Sequence, residues 1–220
     1  MALNQRNEQA RAARGLALLM RGSAAEGIAD LNAALERDPN NQIALIGRGI
    51  AMLTSGQPDR AVIAFNQVIG KMPDNSGARL LRARALLAMK DLKAAMADVE
   101  AVSAIRPDDP DIFVVRGLIS LEMRDFQKAR ADLDQAIERR ESVEGYIARG
   151  RSYEASNDPA KAASDFKHAL EFPPKNIFDI TAQALIKQKV EQLSKRVPCG
   201  TSGSDEADCD RGQARAVRGR

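Results

Sequence analysis

The sequence predicts an all-α solenoid, five helical hairpins stacked in chain order and closed by one further helix near the C-terminus. Three observations predict it. Pro39, Pro73 and Pro107 stand at intervals of 34 residues, room for two helices and two turns. Proline has no N–H to donate and clashes with a continuing turn, so each marks the end of a helix. Between them, small and large apolar residues recur at fixed offsets. Composition agrees: Ala and Leu dominate, aromatic residues make up 4% and Trp is absent, which suits close-packed helices better than strands.

The unit is clearest from Ile43 to Pro73. Leu45, Gly49 and Met52 recur at helical spacing, Gly56 interrupts and Pro58 restarts; Ala61, Phe65 and Val68 form a second stripe that Pro73 ends. This phase gives units 8–41, 42–75, 76–109, 110–142 and 143–176, after a lead-in over 1–7. The fourth unit carries Glu141 where proline is expected, and the fifth regains register at Pro174 after one residue is lost. One small column reads Gly15, Gly49, Ala83, Gly117 and Gly150, and a second reads Gly27, Ala61, Ala95, Ala129 and Ala162. A large column, Leu31, Phe65, Val99, Leu133 and Phe166, is followed by Ala34, Val68, Val102, Ala136 and Ala169. Antiparallel helices about 8–10 Å apart interdigitate when a bulky side chain meets such a vacancy.

Turn chemistry supports the same phase. Asp158-Pro159 reads as an N-cap followed by proline at the first helical position, with Asp91 and Asp125 at equivalent cap sites. Gly22 and Gly56 suit the left-handed residue that ends a helix.

This order of residues resembles the tetratricopeptide repeat, whose period is about 34 residues with two antiparallel helices per unit. The resemblance covers 8–176 and implies a right-handed superhelix whose first helices line a concave surface. Carried onto this chain, the ligand-facing positions are Ala12, Leu16, Leu19 and Met20; Ile46, Ile50 and Leu53; Leu80, Arg84 and Leu87; Val114, Leu118 and Leu121; Ile147, Arg151 and Glu154. Most are aliphatic, with Arg84, Arg151 and Glu154 as polar selectors at the edge. The family's clamp for C-terminal carboxylates uses Lys and Asn here, where this chain has Ala12, Leu16, Ile46 and Ile50. The groove therefore suits an amphipathic helix or apolar peptide.

Residues 177–197 read as the closing helix, with Ala182, Leu185, Ile186, Val190, Leu193 and Val197 on one face covering the last repeat. From Pro198 to Arg220 the pattern gives way to Gly, Ser and blocks of like charge, the composition of a disordered tail. Its two cysteines, Cys199 and Cys209, fit either a disulfide or two free thiols.

A charged pattern runs inside the repeats. Arg14, Arg48, Arg82, Arg116 and Arg149 each precede the first small column, and Asp30, Asp98, Asp132 and Asp165 precede the large one, with Ala64 as the exception. A guanidinium beside packed helices needs acceptors, and a carboxylate on the facing helix supplies two. A structural Arg–Asp network is favoured over an arginine grip on an acidic ligand, because the aspartates would compete with that ligand. Ala64 leaves either Arg48 or Arg82 as the odd member.

The predicted function is a protein-interaction scaffold or adaptor that binds a peptide or amphipathic helix in its groove. The alternative is a structural module that self-associates without a separable ligand. No nucleophile constellation, phosphate cradle or metal-ligand spacing occurs, and the single histidine, His168, is expected to face water. Neither an enzyme nor a cofactor is expected. With 33 basic and 30 acidic residues there is no dense basic field, and the groove lacks aromatic stackers, so nucleic acid is not expected. The apolar run Gly15 to Met20 is too short to insert in a membrane. The compartment is open: cytoplasm if the N-terminus is native, periplasm or export if a signal peptide has been removed.

Overall fold

The structure is a computed structural model, and it describes residues 2–194. Among these the chain forms eleven helices and no strand: α1 Ala2–Met20, α2 Ala24–Arg37, α3 Gln42–Thr54, α4 Pro58–Lys71, α5 Ser76–Ala88, α6 Leu92–Ile105, α7 Pro110–Glu122, α8 Phe126–Arg139, α9 Val143–Ala155, α10 Pro159–Glu171 and α11 Ile177–Ser194. Residues 2–7 of the segment read as a lead-in belong to α1. Residues 195–197 of the closing helix, the tail and both cysteines lie outside the described residues, as do the side chains of Leu193 and Val197.

Each helix packs on the next, and α1–α3, α3–α5, α5–α7 and α7–α9 also pack directly, whereas no two even-numbered helices do so to that extent. The first helix of each hairpin therefore lies on the inner, more closely spaced side of the stack. Local chemistry sets the turns. Asn41, Asn75, Asp91, Asp125, Ser142 and Asp158 accept hydrogen bonds from the first-turn N–H groups of the helices that follow them. At the turn inside each hairpin one residue adopts positive φ: Gly22 and Gly56, then Lys90, Arg124 and Asn157.

Packing between paired helices depends on the small column. A Cβ added to Gly49 would lie 2.5 Å from Phe65 Cε1, and one on Gly150 would lie 2.6 Å from Phe166 Cε1. Both rings are fully buried, so each glycine is the vacancy its phenylalanine fills.

The Arg–Asp columns pair within each hairpin. Arg14 Nε and Nη2 each donate to Asp30 at 2.6 Å; Arg82, Arg116 and Arg149 make the same two-pronged contact with Asp98, Asp132 and Asp165 at 2.5–3.0 Å. Two of them also reach back one hairpin, Arg82 to Asn66 at 2.7 Å and Arg149 to Asp134 at 2.8 Å. Arg48 is the odd member: its Nε is buried without a partner, and Nη2 finds only Gln67 at 3.5 Å.

The closing helix departs from expectation. α11 packs on α9 and α10, where Gln183 Nε2 donates to the backbone oxygens of Ala169 and Phe172 at 2.7 and 2.8 Å. It also reaches α1, and Ile177 and Phe178 pack against the apolar cluster of the first three hairpins. Leu185, expected on the covered face beside Ile186, is 74% exposed. The physical reason is that α11 has two supports on different sides. Ile186, Ala182 and Val190 cover the last hairpin, and Leu185 is rotated off that contact.

Candidate partner-binding channel

The inner side of the stack carries two adjoining cavities that share Arg84, Glu144 and Phe178 in their walls. The larger, about 650 Å³, runs between Leu53, Leu87, Leu118 and Ile147, supplied by α3, α5, α7 and α9, and a wall made by Ala182, Leu185 and Ile186 of α11. Helical register explains the convergence: each of the four stands on the inner face of the first helix of its hairpin. Charged groups rim this cavity. Glu122 lies between Lys90, with which it forms an ion pair, and Arg151 at 3.9 Å, while Glu154 forms an ion pair with Lys189 of α11 at 2.6 Å.

The smaller cavity, about 420 Å³, has more polar groups in its wall. Asp111, Arg140, Ser142 and Asp179 line it together with Leu80 and Leu81. At the junction Arg84 forms a two-pronged ion pair with Glu144 of α9 and lies 5.9 Å from the centre of the Phe178 ring. Burial works against the Arg84 charge, but the Glu144 carboxylate outweighs it and holds the guanidinium pKa above its usual range. Asp179 goes the other way: it is 6% exposed, and burial, with the Glu144 charge adding to it, raises its pKa although it accepts N–H bonds from Lys175 and Asn176.

The positions inferred from the resemblance divide into three groups. Leu53, Arg84, Leu87, Leu118, Ile147 and Arg151 come together on the larger cavity, with Glu154 on its rim. Leu19, Ile50, Val114 and Leu121 are buried, as are Ala12 and Leu80, although Leu80 also borders the smaller cavity. Leu16, Met20 and Ile46 are partly buried against the cluster of the first hairpins. Sequence reasoning passed over Glu144, Glu122, Lys90 and the whole contribution of α11. Glu144 was within reach, since it lies three residues before Ile147 on the same helical face, as Gly77 does before Leu80 and Asp111 before Val114. His168 is exposed, 3.4 Å from Glu171.

Among the described residues no group of three or more potential ligands could hold a metal ion, and no helix is long and apolar enough to cross a membrane.

Comparison with known families decides what these hairpins are. One model described as tetratricopeptide repeat matches residues 12–71 and 115–177, and another with the same description matches 52–113. The chain belongs to the tetratricopeptide repeat family. Its repeats imply a protein-interaction or scaffold role, in a family that is typically non-enzymatic. No curated protein matches the sequence significantly. Among solved structures, a thermophilic TPR protein of Thermus thermophilus superposes with a TM-score of 0.69 at 21% identity, covering 81% of this chain and 97% of that one. MamA, residues 41 to the end, from Desulfovibrio magneticus gives 0.55 at 26% identity over 77% and 93%. The Cut9–Hcn1 hetero-tetramer of the APC/C gives 0.67 at 17% identity, covering 84% of this chain and 37% of that one.

Proposed function

We propose that this TPR protein is an adaptor whose larger cavity receives the apolar face of a helical segment from a partner protein. One observation carries the reading: Leu53, Leu87, Leu118 and Ile147, from four successive hairpins, converge on a single largely apolar channel, with the paired Arg84 and Glu144 in its wall and the other charged groups at its rim. Aliphatic walls reward burial of a partner's apolar side chains, and rim charges set orientation more than affinity. A volume of about 650 Å³ is enough for several side chains. Catalysis is no part of the reading, since the channel offers no nucleophile with an adjacent base.

The test is affinity capture from the source organism's lysate with the wild type and with Leu53→Ser/Leu87→Ser/Leu118→Ser, both checked for helicity. The adaptor reading expects a protein held by the wild type and lost from the folded variant. Light scattering over a range of concentrations runs beside it. A mass that rises with concentration in the wild type and not in the variant replaces the adaptor with the self-associating module.

A further inference from the structure

We propose that α11 is a resident ligand of the channel, one that gives way when a partner protein's amphipathic helix of the same pattern takes its seat. This rests on the channel being a partner site, and it adds both the chemistry of the partner and the means of control.

The seat itself supplies the pattern. Phe178, Ala182 and Ile186 stand at i, i+4 and i+8 on α11 and so share a face, and all three border the channel. Lys189, one turn further, meets Glu154 at 2.6 Å. Helix-in-groove recognition reads anchors at this spacing. The partner helix therefore carries a large aromatic or aliphatic residue, a small one four residues on, an aliphatic one after four more and a cation one turn beyond. Residues 195–220 do not carry this pattern, since their sequence is dominated by Gly, Ser and charge.

α11 fits its seat incompletely. An unfilled volume of about 650 Å³ lies between it and α3, α5, α7 and α9. Leu185 is left 74% exposed at the edge of that volume, and Ile180 is 37% exposed. Asp179 is buried close to Glu144, and its polar partners lie in its own turn, at Lys175 and Asn176. Contacts left unmade along that open volume and a like-charge neighbour both reduce what the contact is worth. The hydrogen bonds from Gln183 to the end of α10 tether the helix to the last hairpin. Pro173 and Pro174 lie in the segment joining α10 to α11, which has no regular structure to lose when α11 leaves. A helix of this kind opens below the free energy of global unfolding, and a competitor that makes more contacts along the groove displaces it by mass action.

The test uses full-length protein and a fluorescein-labelled synthetic peptide of residues 177–194. Gln183→Ala cuts the tether and leaves every channel-facing side chain in place. The variant is expected to bind the peptide at least tenfold more tightly than the wild type, and to lose that binding when Leu87→Asp is added. A gain of binding cannot come from a failure to fold. Amide exchange reports release directly: in the wild type α11 should exchange faster than α9 and α10, and faster still in Gln183→Ala or, as a second way to free it, Phe178→Ser. If α11 exchanges only with global unfolding in all three proteins, or is released without any gain in peptide binding, the helix is a structural cap and the proposal fails. Partner capture by the wild type stands apart from either result, so failure of the adaptor reading and failure of this one remain distinguishable.

Discussion

Arg84 and Glu144 face each other across the inner side of the stack, sixty residues apart in sequence and two hairpins apart in the fold, and form a two-pronged ion pair beneath Phe178. The pair links α5 directly to α9, two helices that both pack on the intervening α7. Because Arg84 and Glu144 side chains are 16% and 28% exposed, neither charge is left to bulk water. Arg84→Met should cost about 2–3 kcal/mol, chiefly by leaving Glu144 unpaired, and Arg84→Met/Glu144→Gln should cost less than that single change. Urea denaturation of the two singles and the double measures the coupling; additive losses would show that the pair contributes nothing of its own.

Arg48 lacks the carboxylate that its four counterparts have, because Ala64 stands where Asp30, Asp98, Asp132 and Asp165 stand in the other hairpins. Ala64→Asp should therefore raise stability by about 1–2 kcal/mol, as a hydrogen-bonded charge pair completes the column. The same substitution in an Arg48→Met background should be destabilising, since it buries a carboxylate with no partner. Thermal melts of both proteins check the sign, and loss of stability in the first would refute the structural reading of the ladder.

Two glycines in neighbouring helices should respond in opposite ways. Gly49→Leu places a side chain into the Phe65 ring and should destabilise by about 1–3 kcal/mol or more. Gly70, in the last turn of α4, has nothing within 4 Å of an added Cβ, so Gly70→Ala should stabilise by up to about 1 kcal/mol. Chemical denaturation of the two variants compares them directly.

Acid should tighten the seat of α11. When α11 is docked, burial first and the Glu144 charge second raise the Asp179 pKa above its ordinary 3.8, so the docked helix holds this proton more firmly than the released one. The Asp179 contribution to docking is therefore greatest below about pH 3.8 and is lost as the pH rises through the raised value. Asp30 has the opposite sign: Arg14 lowers its pKa, so its contribution is lost only as the pH falls below the ordinary range. Asp179→Asn, which keeps an oxygen for the Lys175 N–H, should protect α11 amides more than the wild type does at pH 7 and lose that advantage near pH 4. Equal protection at both values would remove Asp179 from the account.

Much of this was legible from sequence because it is local or periodic. Prolines in register, small columns facing Phe65 and Phe166, and Asp caps are set by residues within one hairpin, and Arg–Asp pairing follows from two columns on facing helices. Even the odd member was foreshadowed by Ala64. The Arg84–Glu144 pair was not legible, because two residues sixty apart meet only through the curvature of the stack, which the repeat pattern does not fix. Nor was the path of α11. A stripe such as Ala182, Ile186 and Val190 looks the same on a helix that covers the last repeat and on one that also reaches the first, and only the tertiary contacts of Ile177 and Phe178 separate the two.

Competition for one channel is the central claim, and elution tests it most directly. A partner captured on immobilised wild-type protein is challenged with an excess of the 177–194 peptide, beside a peptide in which the residues matching Phe178 and Ile186 are Ser. The first peptide should release the captured protein and the second should not. Retention of the partner at saturating peptide would contradict the claim, because partner and α11 would then occupy different surfaces.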